Sequence, residues 1–427
     1  MKLREILKSK VTRNAGWIIA GRVYHMLLAF VFNLLIARYL GPGNYGLINY
    51  AATYTAFFAS FCTLGINSII VKNFVDHPEE EGETIGSAIL LRVVSSILSV
   101  IMMICITMLA DRGETETHLI VALCGIGVIF QAMETLNYWF QAKLQSKYCS
   151  IASSISYTAV SAYKLWLLFS GKSVQWFAVS TTLDYLLVSV VLLFVYRRQN
   201  GPRFRASIKK AKELLGSSYH FILAGIMISV YGSTDRFMLK QLMDESEVGY
   251  YATAVSLCNT WVFLLSALID SLYPSLLASF HKDKDAFERK NRQMYAVVFY
   301  MSFFVSLLFM LFANPLVSLL YGSKYLSAAT PLRIITWYTA FSYLGVARNA
   351  WIVCYHKQNY LKYLYIGAAL TNVILNLIMI PSWGASGAAA ASLLTQASTI
   401  LVFPVFIRDL RPNVKLMLNG ISLKDVF

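Results

Sequence analysis

Residues 85–110 read IGSAILLRVVSSILSVIMMICITMLA, a run in which Arg92 is the one charge. A surface helix of a soluble protein carries an apolar stripe at a 3.6-residue period, with polar residues opposite. Here the apolar residues continue all the way round. About 20 residues at 1.5 Å each cross a hydrocarbon core of ~30 Å, whereas a barrel strand needs only about ten. The run reads as a membrane-spanning helix.

Eleven further runs flank it, at 14–37, 46–71, 117–141, 148–169, 174–196, 217–240, 247–274, 294–320, 331–355, 360–381 and 384–407. Pro42, Pro78, Pro202, Pro331, Pro381 and Pro412 sit at or between the ends of these runs, where a helix stops without losing a ladder bond. Composition agrees: of 427 residues, 57% are hydrophobic and only 14% charged, and the mean hydropathy is +0.57. Soluble domains carry about a quarter charged residues. A soluble multi-domain enzyme, a coiled coil and a disordered chain are therefore excluded. The expected fold is all-α, a polytopic membrane protein of about twelve transmembrane helices. The six cysteines lie in or beside apolar runs without a C-x-x-C pair, so they spell neither a disulfide framework nor a zinc site. The basic, then apolar N-terminus resembles a signal peptide. Arg22 interrupts it and no small-residue cleavage site follows, so it reads as a retained first helix.

The net charge of +15 follows the topology. Twelve spans put both termini on one side, and 26 of the 37 Lys and Arg fall on that side, in 1–13, 197–212, 282–292 and smaller clusters. Six face the other way, namely Arg38, Arg112, Lys172, Lys240, Lys324 and Arg333. Cationic loops stay in the cytoplasm, so both termini are expected there and no nucleic-acid partner is implied. The acidic stretch Asp76 to Glu83 runs against the trend, although acids count for little in this rule.

The chain also repeats. Asn137, Trp139 and Tyr148 recur as Asn349, Trp351 and Tyr360 at an offset of 212. Asn33, Arg38 and Leu40 align with Asp235, Lys240 and Leu242; after a one-residue slip, Gly46, Tyr50 and Asn67 align with Gly249, Thr253 and Asp270. The organisation expected is a six-helix lobe (1–196), a basic cytoplasmic linker (197–216), a second six-helix lobe (217–410) and a cytoplasmic tail (411–427). Because six is even, both lobes start on the same side, pseudo-symmetric about an axis along the membrane normal, with a central cavity between them.

Nine charges fall inside spans: the cations Arg22, Arg92, Lys164, Arg236 and Arg348, and the acids Glu134, Asp184, Asp235 and Asp270. Each costs about 2.5–3.5 kcal/mol at mid-bilayer on insertion scales, so a watery interior is the simplest account. Polar stripes point the same way. Asn14, Arg22, His25, Ala29 and Asn33 share one face of the first span; Ser150, Ser154, Tyr157, Ser161 and Lys164 share one face of the fifth; Gly225, Ser229, Gly232 and Arg236 do so in the seventh. Polar helix–helix packing is the competing explanation, snorkelling competes for Arg92 and Arg236 near span ends, and Asp235 beside Arg236 suits a structural ion pair as well as a site. Gly41-Pro42-Gly43-Asn44-Tyr45-Gly46 satisfies G-x-G-x-x-G but lies between two spans with no preceding strand, so it reads as a turn. Asp283-Lys284-Asp285 lies in a basic loop and reads as solvated surface. No cofactor motif is present.

Several segments in order carry a resemblance: Ala37-Arg38-Tyr39-Leu40-Gly41-Pro42 with Tyr45-Gly46, Leu64-Gly65-Ile66-Asn67-Ser68, Thr234 to Leu239 with Val248 to Tyr251, Leu320 to Tyr325, and Asn372 to Pro381 followed by Gly384 to Ala391. Across nearly its whole length the chain resembles the polysaccharide transporter family, the O-antigen and capsule flippases of the multidrug/oligosaccharidyl-lipid/polysaccharide exporter superfamily. The resemblance implies an undecaprenyl-diphosphate-linked oligosaccharide flipped by alternating access across the bacterial cytoplasmic membrane. Membrane lipids, a proton or sodium ion and polysaccharide polymerase machinery are its expected partners.

The residues themselves suit that chemistry. A guanidinium grips phosphate with two N–H groups and stays charged. Arg22, Arg348, Lys164, Arg92 and Arg236 are therefore the candidates for the anionic head group, with His25, Asn33, Tyr157 and Ser161 lining a polar cavity. No nucleotide site exists to supply energy, which leaves Asp235, Asp270, Glu134 and Asp184 as candidates for ion coupling. A multidrug or cationic-metabolite antiporter is the alternative; it would want an acidic cavity. A membrane glycosyltransferase or polymerase would want a large outer loop, and the outer loops here are short.

Overall fold

The computed structural model describes residues 10–280 and 282–424, and every element among them is helical. Expectations for the basic residues before Lys10, for His281 and for the last three residues fall outside the described residues. The helices are α1 (Lys10–Thr63), α2 (Asn67–Asp76), α3 (Glu81–Ala110), α4 (Thr115–Phe130), α5 (Thr135–Ala142), α6 (Ser146–Phe169), α7 (Val174–Arg198), α8 (Ile208–Leu242) and α9 (Glu245–Asn259). There follow α10 (Val262–Phe280), α11 (Lys284–Leu311), α12 (Ala313–Tyr321), α13 (Ala329–Ile335), α14 (Tyr338–Cys354), α15 (Leu361–Ala397), α16 (Phe403–Phe406) and α17 (Arg411–Ile421).

Among the described residues, seven helical stretches are long and apolar enough to cross a membrane. Two of them are kinked pairs, broken at Gly41 in α1 and at Gly384 in α15. With each pair counted twice, and with α6, α8 and the pair α13–α14 added, the count is about twelve, as the apolar runs anticipate. Hydropathy alone passes over α6 because its polar stripe dilutes it. Lipid-facing surface is plain: Phe169, Ile101, Phe304, Leu370 and Ile378 all point outward, as a bilayer solvent allows.

The two kinks have clear causes. Gly41 sits at φ 74° and ψ 173°, a conformation that a Cβ forbids. Pro42 then opens the second arm at the position where a missing N–H is harmless. The G-x-G-x-x-G string is thus a corner between helices. At Gly384 (φ 53°, ψ −130°) the chain breaks again, and the Glu247 carboxylate accepts the Ala385 N–H at 2.5 Å, satisfying a donor that the new helix start leaves open.

The chain forms two compact units, residues 1–40 with 47–229, and residues 41–46 with 230–427. The first has a core around Ile70, Trp139, Phe140, Leu192 and Tyr196. Its basic segment after α7 lies against the start of α3. There the Arg205 N–H donates to the Gly82 carbonyl at 3.0 Å, and Ser87 and Ser207 exchange two bonds. That packing explains two acids of the stretch that ran against the charge rule: Glu80 pairs with Lys210 at 2.7 Å, and Glu81 with Lys143 at 3.0 Å and with the Trp139 indole at 2.7 Å.

The second unit has a core around Tyr295, Leu344, Trp351, Leu364 and Met417. Helix α17 packs on α11, with Asn413 donating to the Tyr295 hydroxyl at 2.8 Å and the Tyr300 hydroxyl to the Ile421 carbonyl at 2.8 Å. Asp283 caps α11, accepting the Asp285 and Ala286 N–H groups at 2.9 and 3.1 Å, so the D-x-D string has a structural use. Segment 41–46 joins this unit because Gly46 and Gly249 admit a close crossing: a Cβ on Gly249 would meet the Pro42 carbonyl, and one on Gly46 the Glu245 carbonyl.

The internal repeat appears within each unit separately. The N–H groups of Lys143, Leu144, Gln145 and Tyr148 donate to the carbonyls of Trp139, Gln141, Phe140 and Gln145. Those of Tyr355, His356, Lys357 and Tyr360 donate to Trp351, Val353, Ile352 and Lys357, the same four bonds 212 residues on. Leu144 (φ 54°) and His356 (φ 55°) occupy matching left-handed positions, a conformation rare outside glycine.

Candidate functional site

In the first unit, α1 and α6 are laced along their length. Asn14 donates to the Ser146 hydroxyl at 3.1 Å and accepts the Ser146 N–H at 2.7 Å, which caps α6. One and about three turns on, the Ser150 hydroxyl donates to the Trp17 carbonyl at 2.8 Å, and the Tyr24 and Thr158 hydroxyls meet at 2.7 Å. His25 stacks on Tyr157 with ring centroids 3.7 Å apart. The i, i+3, i+4 spacing that the sequence shows is the reason these contacts fall in one seam.

Together with α5, the seam lines an open cavity of about 320 Å³. Arg22, His25, Asn137, Tyr138, Gln141 and Tyr157 give it its polar character, and none of its lining residues is acidic. Arg22 is exposed, and among the described residues no ion pair engages it. Of the other residues anticipated here, Ser161 is half-buried and Asn33 exposed, and neither lines this cavity.

Two more cations of the first unit are already occupied. Lys164 pairs with Asp184 at 3.1 Å, with His25 within electrostatic reach of both. Arg92 is buried: one amino group donates to the Thr135 hydroxyl at 3.2 Å, the other to the Asn67 side-chain oxygen, and the guanidinium lies 5.5 Å from the centre of the Tyr138 ring. Glu134 is within electrostatic reach of Arg92. Arg92 thereby ties α2, α3 and the start of α5 together, and it borders the cavity only through Tyr138.

The second unit holds a cavity of about 290 Å³ lined by Asp235, Arg236, Tyr251, Asn259, Tyr338 and Tyr343 among others. The Asp235 carboxylate accepts from the Tyr251 hydroxyl at 2.6 Å, from the Asn376 and Asn372 amides at 2.7 and 3.0 Å, and from the Ser392 hydroxyl. Among the described residues no ion pair joins it to Arg236. Asp270 is exposed on α10 and does not line this cavity. Arg348 is 3% exposed in the core beside Trp351, near Tyr295 and Tyr365; its Nε and one amino group have no hydrogen-bond partner.

Sequence reasoning passed over Asn137, Gln141, Tyr251, Asn372, Asn376 and Ser392 as site residues. A signal existed for one pair: Asn372 and Asn376 stand one turn apart in an otherwise apolar helix. Tyr251 and Ser392 carried none, because only the packing of α9 and α15 on α8 brings them to Asp235.

A family model described as polysaccharide biosynthesis protein matches residues 11–280. The chain belongs to the polysaccharide biosynthesis protein family. Among curated relatives, the capsular polysaccharide biosynthesis protein CapF of Staphylococcus aureus is 22% identical over 408 residues, covering 93% of this chain and 99% of its own length. A putative O-antigen transporter of Escherichia coli (strain K12) is 18% identical, over 94% and 98%. Among solved structures, the lipid II flippase MurJ in an inward closed conformation aligns with a TM-score of 0.73 at 14% identity, over 95% of this chain and 91% of its own. An inward-facing multidrug resistance MATE transporter of the MOP superfamily aligns with 0.70 at 13% identity, over 92% and 96%. This family member is therefore a multi-pass helical membrane protein with the two-lobe fold of those transporters.

Proposed function

We propose that the chain is a flippase, moving an undecaprenyl-diphosphate-linked oligosaccharide from the cytoplasmic to the outer leaflet of the bacterial cytoplasmic membrane by alternating access, with both termini cytoplasmic. The observation that carries this reading is the cavity of the first unit, in which Arg22 stands among neutral polar side chains with no acid in the lining. An unmatched guanidinium in a low-dielectric setting attracts an anion strongly. A diphosphate is such an anion, and the hydroxyl and amide groups around Arg22 suit a sugar. Arg22 is assigned to the head group, His25 and Tyr157 to its wall. Lys164 and Arg92, already engaged, hold the helices in place, and Arg348 is sealed in the core of the second unit.

Asp235 is assigned to coupling with a proton or sodium ion. Four donors converge on its carboxylate, and the Asn376 side-chain oxygen is buried without a partner. A half-turn of the Asn372 and Asn376 amides would present oxygens in place of N–H groups, so the cage can answer either the charge of a cation or the neutralised acid. Asp235 with Tyr251, Tyr338 and Tyr343 is also the feature that favours a cation antiporter.

Reconstituted liposomes separate the two. The flippase should translocate a polyprenyl-diphosphate sugar, faster with an inward proton or sodium gradient, and should leave ethidium in place. Gradient-driven ethidium efflux without lipid translocation would establish the antiporter.

A further inference from the structure

At the end of α1 that the basic loops assign to the cytoplasm lies a second cavity of about 300 Å³, lined by Lys10, Trp17, Lys143, Leu144, Lys147 and Tyr148 together with Asn14 and Gln145. It is cationic by construction. Helix α1 supplies Lys10, the turn between α5 and α6, held by the repeated four-bond pattern and the left-handed Leu144, supplies Lys143, and the first turn of α6 supplies Lys147. Glu81 already matches Lys143. Lys10 and Lys147 have no carboxylate partner among the described residues, and no acid lines the cavity. Trp17 forms an aromatic wall, with the Lys147 ammonium 5.6 Å from its ring centre.

The ligand class follows from the surroundings. Two unmatched ammonium groups select an anion, and phosphate is the anion met at a membrane surface. At the pocket's own rim the apolar side chains of Trp17 and Leu144 are exposed. A phosphate carried on a lipid can enter with its chain against that apolar rim, while a free anion gains nothing from it. The geometry points to a docking site for lipid-borne phosphate. On the flippase reading its occupant is the substrate diphosphate, waiting about 18 Å from Arg22, the rise of twelve helical residues. Asn14 and Trp17 lie on the α1–α6 seam between the two cavities. An anionic phospholipid head group carries the same chemistry.

The test places a photoreactive residue at Leu144, in protein held in phosphatidylcholine nanodiscs, and adds undecaprenyl diphosphate or, in a second arm, phosphatidylglycerol. Light-dependent labelling of the chain is expected, at least fivefold weaker in Lys10→Gln/Lys147→Gln and retained in Lys10→Arg/Lys147→Arg, which separates charge from folding. Preference for undecaprenyl diphosphate identifies the substrate as occupant; equal labelling and competition by phosphatidylglycerol identifies a phospholipid. Labelling that the glutamine pair leaves unchanged, or that goes to phosphatidylcholine as strongly when no anionic lipid is added, overturns the site. Strong labelling in a protein that translocates nothing would remove the flippase reading and leave this site standing; translocation without labelling would do the reverse.

Discussion

At the scale of single residues, identical side chains have different work. Arg22 and Arg348 are both arginines within spans, yet one opens into a polar cavity and the other is sealed in a core. Arg22→Ala should cut translocation at least tenfold without lowering the melting temperature, and Arg22→Lys should restore only part, because an ammonium lacks the two-pronged donor. Arg348→Met should leave thermal stability equal or raise it by ~1–3 kcal/mol, since it removes buried donors that have no partner. A thiol-dye melting assay on the purified variants reads both. Normal export by Arg22→Ala would remove it from the head-group role. Asp235→Asn should abolish the response to an imposed ion gradient while the lipid-linked substrate still binds; unchanged gradient dependence would assign coupling elsewhere.

At the scale of elements, the breaks matter as much as the helices. Gly384 holds a conformation open to glycine alone, and a Cβ there would press on the Glu247 carboxylate that caps the next helix. Gly384→Ala should destabilise the protein by ~1–3 kcal/mol, visible as a lowered melting temperature; an unchanged one would mean the kink is not required. The junction before α17 is a titrating contact. Asp409 accepts from Lys357 at 2.5 Å and from the Tyr360 hydroxyl at 2.9 Å, and these bonds hold its carboxyl below the usual carboxylate range. A lowered acid stabilises the docked form above its ordinary pKa, and that contribution is lost as pH falls through the lowered value. Pepsin should therefore release the C-terminal segment more readily below about pH 3.9. Removing the lysine side of the contact by Lys357→Met should loosen the segment to neutral proteases at pH 7.

At the scale of the whole molecule, the orientation expected from charge is open to a direct test. Cysteine-accessibility labelling should find 197–212 and 282–292 reactive from the cytoplasm and 240–247 from outside; 197–212 outside would invert the second lobe and end the parallel-repeat account. Much of the architecture is legible in the chain because water and hydrocarbon sort residues one at a time. The run at 85–110, the count of about twelve helices, the basic loops and the repeat of Asn137, Trp139 and Tyr148 all depend on local order or on transfer free energies. The sequence also put Arg22 and His25 on one stripe and Tyr157 on another, because helical spacing is local; that the two stripes meet is a matter of packing. Pairing is different. That Lys164 is matched by Asp184, that Arg92 is held by Asn67 and Thr135, that Arg348 is sealed in a core, and that Tyr251 and Ser392 meet Asp235 are decided by how distant helices pack. Residues 157 positions apart, as Asp235 and Ser392 are, share no period and no motif. Only tertiary contact tells a cation that is free to hold a ligand from one that already has a partner.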